Sequence, residues 1–356
     1  MRKRTGLLLV AAAALVGGLG AEVLVRALGI GPIPQATNEG KLTRPCDDPR
    51  IRYENSPGAS MSLRYRNRSG ALLREVVANI NEQGLRGPVV EIERTGDALR
   101  IACLGDSQTF GLGVGDEESW PAVLGSTLRA GGGAPAVEVL NFGVPGYESE
   151  QELAQLEARV IAFDPDLVLL GFFMNDSVIG DTDRARAQAA YSGLIRTLAP
   201  GDRPGFLPWL RQRSKLVGLA ADWLFRRMVM RDWKDGRERY FQEDFEGWVR
   251  ARAALRRARE VVEGRGGQFV VLLVPLLMSE GDEILSTGPY RTVAAFCRAE
   301  GIRCYDPEPL FAGLDVDRMR VHPRDLHSTA EANRIIGEGC ARWLAEQGLL
   351  QRRSDR

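Results

Sequence analysis

Residues 100–107 read RIACLGDS, and this stretch decides the fold class. After Arg100 the run is apolar, short and closed by Gly105, which is typical of a strand buried inside a sheet. A polar pair, Asp106-Ser107, follows the strand directly. The same arrangement, an apolar run that ends in a polar or glycine-rich turn, returns further along the chain.

Short apolar runs alternate with helical patterns after this first strand. Further strands are predicted at Val137–Leu140, Leu167–Leu170, Phe269–Val274 and Ile302–Tyr305. Helices are predicted at Trp120–Arg129, Ser149–Phe163, Tyr290–Glu300 and Ala330–Gln347. Strands that alternate with helices favour a parallel sheet with helices on both faces. The predicted fold is therefore a three-layer α/β/α doubly wound parallel sheet.

The sheet domain is predicted to span residues 98–350, and other segments precede or interrupt it. Residues 31–97 are rich in Pro, Gly, Asn and Arg and are interpreted as a linker followed by a small irregular or β-rich lead-in, with short segments such as Ser62–Arg66 and Leu73–Ile80. Residues 177–260 are Arg-rich and carry scattered tryptophans, and they are predicted to form a helical insertion. Its aromatic residues either belong to the core or, over Phe206–Met230, form a lid or a membrane-facing helix.

Residues 1–30 are interpreted as a signal-anchor or a signal peptide. The chain begins MRKR, and Gly6–Ala21 is an uncharged apolar stretch. A helix needs roughly 20 apolar residues to span the hydrocarbon, so this stretch is short unless Val23–Leu28 contributes. The alternatives are an uncleaved single-pass anchor in the cytoplasmic membrane, a cleaved secretory signal, and a cytoplasmic core helix. Either of the first two places the remaining chain outside the cytoplasm.

The composition argues against several classes of partner. Lys+Arg and Asp+Glu both total 47, and a nucleic-acid binder would normally show a basic excess. The five cysteines have no metal-ligand spacing, and with only two histidines the chain is predicted to bind no metal and no cofactor. Cys297 and Cys304 flank a helix-to-strand turn and are either a pair or two buried thiols.

The chemistry is expected where the predicted strands end, because ligands of such sheets bind beyond the carboxyl ends of the strands. Four blocks occupy these positions: GDSQTFG at 105–111, NFGVPG at 141–146, GFFMND at 171–176 and DLH at 325–327. Together they supply a hydroxyl, two glycine-rich turns, a carboxamide and an imidazole. These groups are the components of an acyl-transfer site.

The four blocks resemble those of the SGNH (GDSL-like) hydrolase superfamily in content and order. The resemblance covers about residues 76 to 345, and the sequence NEQGLRG at 81–87 is similar to membrane-anchored bacterial members. It implies an SGNH/flavodoxin-like sheet. It further implies that Ser107 is the nucleophile, His327 its base, and Asp325 the carboxylate that orients the imidazole. Only His322 competes with His327 for the role of base.

The resemblance also implies an oxyanion hole, in which preset donors stabilise the negative charge that develops on the substrate oxygen. Its donors would be the backbone N–H groups of Ser107 and Gly146 and the side-chain amide of Asn175. A capping box formed by Ser328 and Glu331 would begin the last helix immediately after the base.

The expected function is that of an extracytoplasmic serine esterase or acylhydrolase with an acyl-serine intermediate. Its substrate would be a small-molecule or glycan ester. Many family members have Asp three residues before the His, whereas Asp325 lies two before His327, a spacing also found in alginate O-acetyltransferase-like relatives. An O-acyltransferase that modifies envelope polysaccharide with the same triad is therefore the first alternative. A non-catalytic binding module on an SGNH frame is the second.

Overall fold

A computed structural model of the chain describes residues 2–28, 37–67, 70–94, 96–131, 136–177, 206–221, 223–224, 227, 237–280, 283–322 and 325–352. The chain divides into two compact units. One comprises Met1–Ala36, Arg64–Arg74 and Asp181–Asp235. The other comprises Thr37–Leu63, Glu75–Gly180 and Gly236–Arg356 and contains all the predicted site residues.

Helix α1, Arg2–Ala27, covers most of the predicted signal segment. Near its end, Glu22 accepts hydrogen bonds from the backbone N–H groups of Lys215 and Leu216, both at 2.9 Å. Together with the hydroxyl of Ser214 and the guanidinium of Arg26, these donors lower the pKa of Glu22 to about 2. Among the described residues, no helix combines the length and the apolar character that crossing a membrane requires. The predicted membrane segment is therefore not supported.

The lead-in segment contains strands β1 to β5, which are Thr37–Glu39, Thr43–Pro45, Tyr53–Asn55, Ser60–Arg66 and Leu72–Asn79. Strands β2 and β3 pair in an antiparallel hairpin, and a separate sheet has the order β1-β4-β5. The lead-in is β-rich, and β4 and β5 lie at the two short segments named from the sequence.

The remaining strands, β6 to β14, are Leu99–Gly105, Val137–Asn141, Leu167–Phe172, Gln268–Leu273, Ser279–Glu280, Glu283–Ile284, Arg303–Tyr305, Arg320–His322 and Asp325–Ser328. Helices α2 to α8 are Ser107–Phe110, Trp120–Ala130, Ser149–Ala158, Phe206–Arg213, Glu246–Glu263, Thr287–Ala299 and Ala330–Glu346. A further helical segment covers residues 215–221.

Five of these strands form the central parallel sheet, in the order β12-β9-β8-β6-β7. Every residue of β6 and β8 is buried, as expected for strands covered on both faces. The chain passes from β6 through α3 to β7 at one edge of the sheet, and then returns through α4 to β8 on the other side of β6. Both crossovers are right-handed, and they run in opposite directions across the sheet. Helices α3 and α4 therefore lie on opposite faces. Helix α8 packs against α3, and α6 packs against α4. The predicted α/β fold with a parallel central sheet is confirmed.

Two predicted helical regions differ in detail from the structure. The helix predicted to reach Phe163 ends at Ala158, because Arg159 leaves the helical conformation at φ −133° and a short 3₁₀ helix follows. Helix α6 lies at the end of the predicted insertion and contributes the buried Trp248 to the core beside Phe172. Residues 178–205 and 228–236 of that insertion lie outside the described residues.

Candidate active site

The nucleophile candidate lies in a tight turn between β6 and α2. Gly105 ends the strand at φ +149°, and a Cβ there would lie 2.0 Å from the hydroxyl oxygen of Thr109, so only glycine fits. Asp106 then caps α2, since its carboxylate accepts the backbone N–H of Gln108 at 2.8 Å. The turn places Ser107 at the first position of α2, beyond the carboxyl end of a central strand.

The base candidate comes from a different element, a hairpin outside the central sheet. Asp325 and His327 lie on β14, which pairs with β13 in an antiparallel hairpin. The expectation that they would follow a strand of the main sheet as a loop is therefore corrected. The predicted cap at Ser328 is also wrong: Ser328 ends β14, and the hydroxyl of Thr329 accepts the N–H of Ala332 to begin α8.

The hairpin and the turn bring the three predicted groups together. Nε2 of His327 lies 2.8 Å from Oγ of Ser107, although 220 positions separate the two residues. On the other side of the ring, Nδ1 contacts Oδ1 of Asp325. The same Oδ1 accepts the backbone N–H of His327 at 3.0 Å. Serine, imidazole and carboxylate thus form a continuous hydrogen-bonded chain.

The two remaining predicted groups lie in the loops after β7 and β8. Gly146 has φ +85°, a conformation that favours glycine, and a Cβ there would lie 2.9 Å from the hydroxyl oxygen of Tyr53. The amide Nδ2 of Asn175 donates to the carbonyl oxygen of Tyr147 at 3.0 Å. Asn175 therefore lies beside the turn that contains Gly146.

Residues 103–335 match the family model described as the GDSL-like Lipase/Acylhydrolase family. The chain belongs to this family. It is a member of the SGNH superfamily and a hydrolase that acts on ester bonds. No curated protein matches the sequence.

Several solved structures are similar to this hydrolase. A putative lipolytic protein of the G-D-S-L family from Desulfitobacterium hafniense is 16% identical, with 68% of this chain and 98% of that chain covered and a TM-score of 0.38. A G-D-S-L family member from Veillonella parvula is 13% identical, covers 70% and 99%, and has a TM-score of 0.41. Axe2, an acetylxylan esterase from Geobacillus stearothermophilus, is 15% identical, covers 71% and 95%, and has a TM-score of 0.42.

Three buried carboxyl groups lie close to the site of this GDSL-like hydrolase. Burial raises the pKa of Asp106 to about 6, against the lowering effect of the Gln108 N–H. Burial also raises the pKa of Glu152 and of Asp176 well above the ordinary range, and the charge of Asp106 adds to both shifts. Asp176 accepts the backbone N–H of Phe173 at 2.6 Å and the hydroxyl of Ser149 at 2.9 Å, so it braces the loop after β8.

The lead-in segment supplies contacts to the loops of the candidate site, which sequence reasoning missed. The amide of Asn55 donates to the carbonyl oxygen of Gly143 at 2.9 Å. The hydroxyl of Tyr53 donates to the carbonyl oxygen of Pro145 at 3.1 Å. The buried guanidinium of Arg86 donates to the carbonyl of Phe110 at 2.7 Å, at the end of α2. The sequence does not specify which distant carbonyl groups a polar side chain will meet, so these contacts could not be predicted. The family-like sequence NEQGLRG at 81–87, which contains Arg86, was the one indication that the lead-in matters.

Gln108, the residue after the candidate nucleophile, was also missed. It is 3% exposed, and its amide Nε2 donates to the carbonyl of Leu326 at 3.1 Å. Its Oε1 accepts the backbone N–H and the hydroxyl of Ser328, both at 3.4 Å. Its position next to Ser107 was the signal that could have drawn attention to it.

The remaining candidate features are clusters of metal-binding side chains and the pair Cys297 and Cys304. Within the described residues, no group of three or more His, Cys, Asp or Glu side chains could hold a metal ion. Cys297 and Cys304 are free thiols. They are neighbours: a side-chain hydrogen bond between the two thiols, followed by burial, raises the pKa of Cys304.

Proposed function

We propose that this protein is a serine esterase or acylhydrolase that works through an acyl-serine intermediate. The observation that carries the proposal is the 2.8 Å separation between Oγ of Ser107 and Nε2 of His327. A serine hydroxyl is a poor nucleophile at neutral pH unless a base accepts its proton, and this separation is within the range for such a transfer. The imidazole is held in turn by Asp325, which completes the nucleophile–base–carboxylate arrangement.

In the first step, Oγ of Ser107 attacks the ester carbonyl while its proton moves to Nε2 of His327. The tetrahedral intermediate collapses when His327 returns that proton to the departing alcohol oxygen, which leaves the acyl group on Ser107. Water then attacks the acyl-serine and loses a proton to His327. The second tetrahedral intermediate collapses as His327 returns that proton to Oγ of Ser107, which releases the carboxylic acid and restores the free enzyme. Asp325 accepts the Nδ1–H and stabilises the imidazolium that forms in each step.

We assign the oxyanion hole to the N–H groups of Ser107 and Gly146 and to the amide of Asn175. The positive φ of Gly146 and the contact of Asn175 with the carbonyl of Tyr147 support the assignment. The amide of Asn175 faces two protein acceptors, the carbonyl of Tyr147 and the carboxylate of Asp106, so donation to the substrate requires one of these bonds to be released.

An O-acyltransferase is the second candidate, and the spacing of Asp325 and His327 favours it. Transfer uses the same acyl-serine, but a sugar hydroxyl takes the place of water as the attacking group. The two activities differ only in which acceptor reaches the intermediate. The N-terminal MRKR and the apolar stretch after it support a location outside the cytoplasm, where envelope glycans would be the acceptors.

A fluorophosphonate probe tests the covalent step, because it labels an activated serine. The probe should label the wild-type protein and leave Ser107→Ala unlabelled. Failure to label folded wild-type protein would contradict the proposal and favour a non-catalytic binding module.

A chromogenic acetate ester, supplied with and without a polysaccharide acceptor, separates hydrolysis from transfer. A hydrolase should release acetate at the same rate in both cases. Acetylated polysaccharide at the expense of free acetate would establish the transferase instead.

A further inference from the structure

We propose that Gln108 is a positioning residue that clamps the base-bearing strand β14 to the nucleophile turn; this inference rests on the proposed function. Its carboxamide meets the peptide groups on both sides of His327: Nε2 donates to the carbonyl of Leu326 at 3.1 Å, and Oε1 accepts the N–H of Ser328 at 3.4 Å. The side chain therefore binds β14 as the edge of another strand would.

The clamp matters because of where the two reacting groups are carried. Ser107 belongs to α2 at the end of the central sheet, whereas His327 belongs to a hairpin outside that sheet. Asp325 orients the imidazole, but it lies on the same strand as His327. Asp325 therefore fixes the ring relative to β14. Other contacts must determine the distance between β14 and Ser107.

Gln108 is well placed to set that distance. It follows Ser107 directly in α2, so the nucleophile and the clamp move as one rigid unit. Its backbone N–H donates to Asp106 at 2.8 Å, which fixes the first turn of α2. Its amide is buried, with the whole residue 3% exposed, so water does not replace the bonds to β14.

Gln108→Met tests the clamp, since methionine keeps the length of the side chain and loses both hydrogen-bonding groups. We expect kcat to fall by roughly 10- to 100-fold with little change in KM, because a misplaced base slows proton transfer without affecting substrate binding. The rate of fluorophosphonate labelling at Ser107 should fall by a similar factor.

Gln83→Met is the matched control. Gln83 makes the same pair of bonds with a single peptide position elsewhere: its Nε2 donates to the carbonyl of Val90 at 2.6 Å, and its Oε1 accepts the N–H of Val90 at 2.9 Å. The control therefore loses an equivalent pair of bonds to backbone at a half-buried position that does not touch β14. Its kcat and labelling rate, measured on folded protein, should remain those of the wild type.

If Gln108→Met does not fold, Gln108→Glu replaces it, since an ionised carboxylate keeps the acceptor for Ser328 and loses the donor for Leu326. Equal labelling rates in the wild type and the Gln108 variant would overturn the clamp while leaving the proposed function intact. Equal losses of kcat in the Gln108 and Gln83 variants would also overturn it. Absence of labelling in the wild type would instead count against the proposed function.

Discussion

Asp325 holds His327 at two points with one oxygen atom. Its Oδ1 contacts Nδ1 of the ring and accepts the backbone N–H of the same residue at 3.0 Å. The backbone bond is possible because two positions separate the residues, which is the span of a turn closed by an aspartate side chain. The unusual spacing therefore allows the carboxylate to be held in place by the residue that it orients.

Asp325→Asn should consequently retain more activity than Asp325→Ala. Asparagine keeps an oxygen for the backbone N–H of His327 and can present the same oxygen to Nδ1, so it loses the charge and keeps the orientation. Alanine loses both, and we expect kcat to fall by several orders of magnitude. Equal values of kcat for the two variants would show that the backbone bond does not orient the carboxylate.

The two histidines should differ strongly in their effect on turnover. His327→Ala removes the group 2.8 Å from the serine oxygen and should lower kcat by several orders of magnitude. His322 is buried on β13, opposite Asp325 in the hairpin, so His322→Gln should lower kcat much less. The comparison is made by measuring kcat in steady-state assays and correcting it for the fraction of folded protein. Similar losses of kcat in the two variants would show that His327 is not the base.

Asn175→Ala should lower kcat by about 100- to 1,000-fold, the usual cost of losing one oxyanion donor. Asn175→Asp should be at least as damaging, because a carboxylate repels the developing negative charge. KM should change little in either variant, since the donor acts mainly on the transition state. A loss confined to KM would place Asn175 in substrate binding and outside the oxyanion hole.

The sheet, and the positions of the candidate groups at its strand ends, were predictable because each depends on a local pattern. Apolar runs that are buried on both faces mark β6 and β8, and chemistry in parallel sheets collects at the ends of such strands. The candidate residues Ser107, Gly146 and Asn175 follow the ends of β6, β7 and β8. For Ser107 and Asn175, a short stretch of sequence is therefore enough to propose the position in the fold.

The residues that support the site were not predictable, because their roles depend on partners far away in the chain. Asn55 bonds to Gly143, 88 positions away, and Gln108 bonds to Leu326, 218 positions away. The hairpin of β13 and β14 was missed for a related reason: its strands have only three and four residues, too few for a recognisable alternation. The cap at Thr329 was missed because Ser328 matched the same pattern one position earlier.

Glu152 should make the protein less stable as the pH rises. It is 0% exposed, and within the described residues neither carboxylate oxygen has a hydrogen-bond partner. Burial, followed by the charges of Asp176 and Asp106, raises its pKa well above the ordinary 4.5. The folded state therefore favours protonated Glu152. Its contribution to the free energy of unfolding is fully present below pH 4.5 and is lost as the pH rises through the raised pKa of the folded state.

Glu152→Gln removes this titration and should gain stability relative to the wild type as the pH rises. Between the unfolded and folded pKa values, the gain should approach about 1.4 kcal/mol per pH unit. Urea unfolding between pH 5 and pH 8 measures it. Glu150→Gln, on the exposed side of the same helix, is the control and should show no such trend. A pH-independent difference for Glu152→Gln would contradict the raised pKa.

Gly143 should tolerate no side chain. Its φ is not positive, so the backbone conformation would accept other residues, and the obstacle is lack of space. A Cβ at this position would lie 2.3 Å from the backbone nitrogen of Phe110 and 2.8 Å from the carbonyl carbon of Thr109. Both atoms belong to α2, the helix that begins with Ser107, and backbone cannot rotate aside as a side chain can. Gly143→Ala must therefore push α2 away from the loop after β7.

We expect Gly143→Ala to cost about 1–3 kcal/mol of unfolding free energy and to lower kcat of the protein that remains folded, because the shift of α2 moves Ser107 relative to His327. Gly131→Ala is the control: it lies in the right-handed helical region, and the nearest atom to its Cβ would be 3.6 Å away. That variant should keep the wild-type stability and kcat. A stable and fully active Gly143→Ala would mean that the loop, and not α2, yields to the methyl group, and that the position of Ser107 does not depend on this contact.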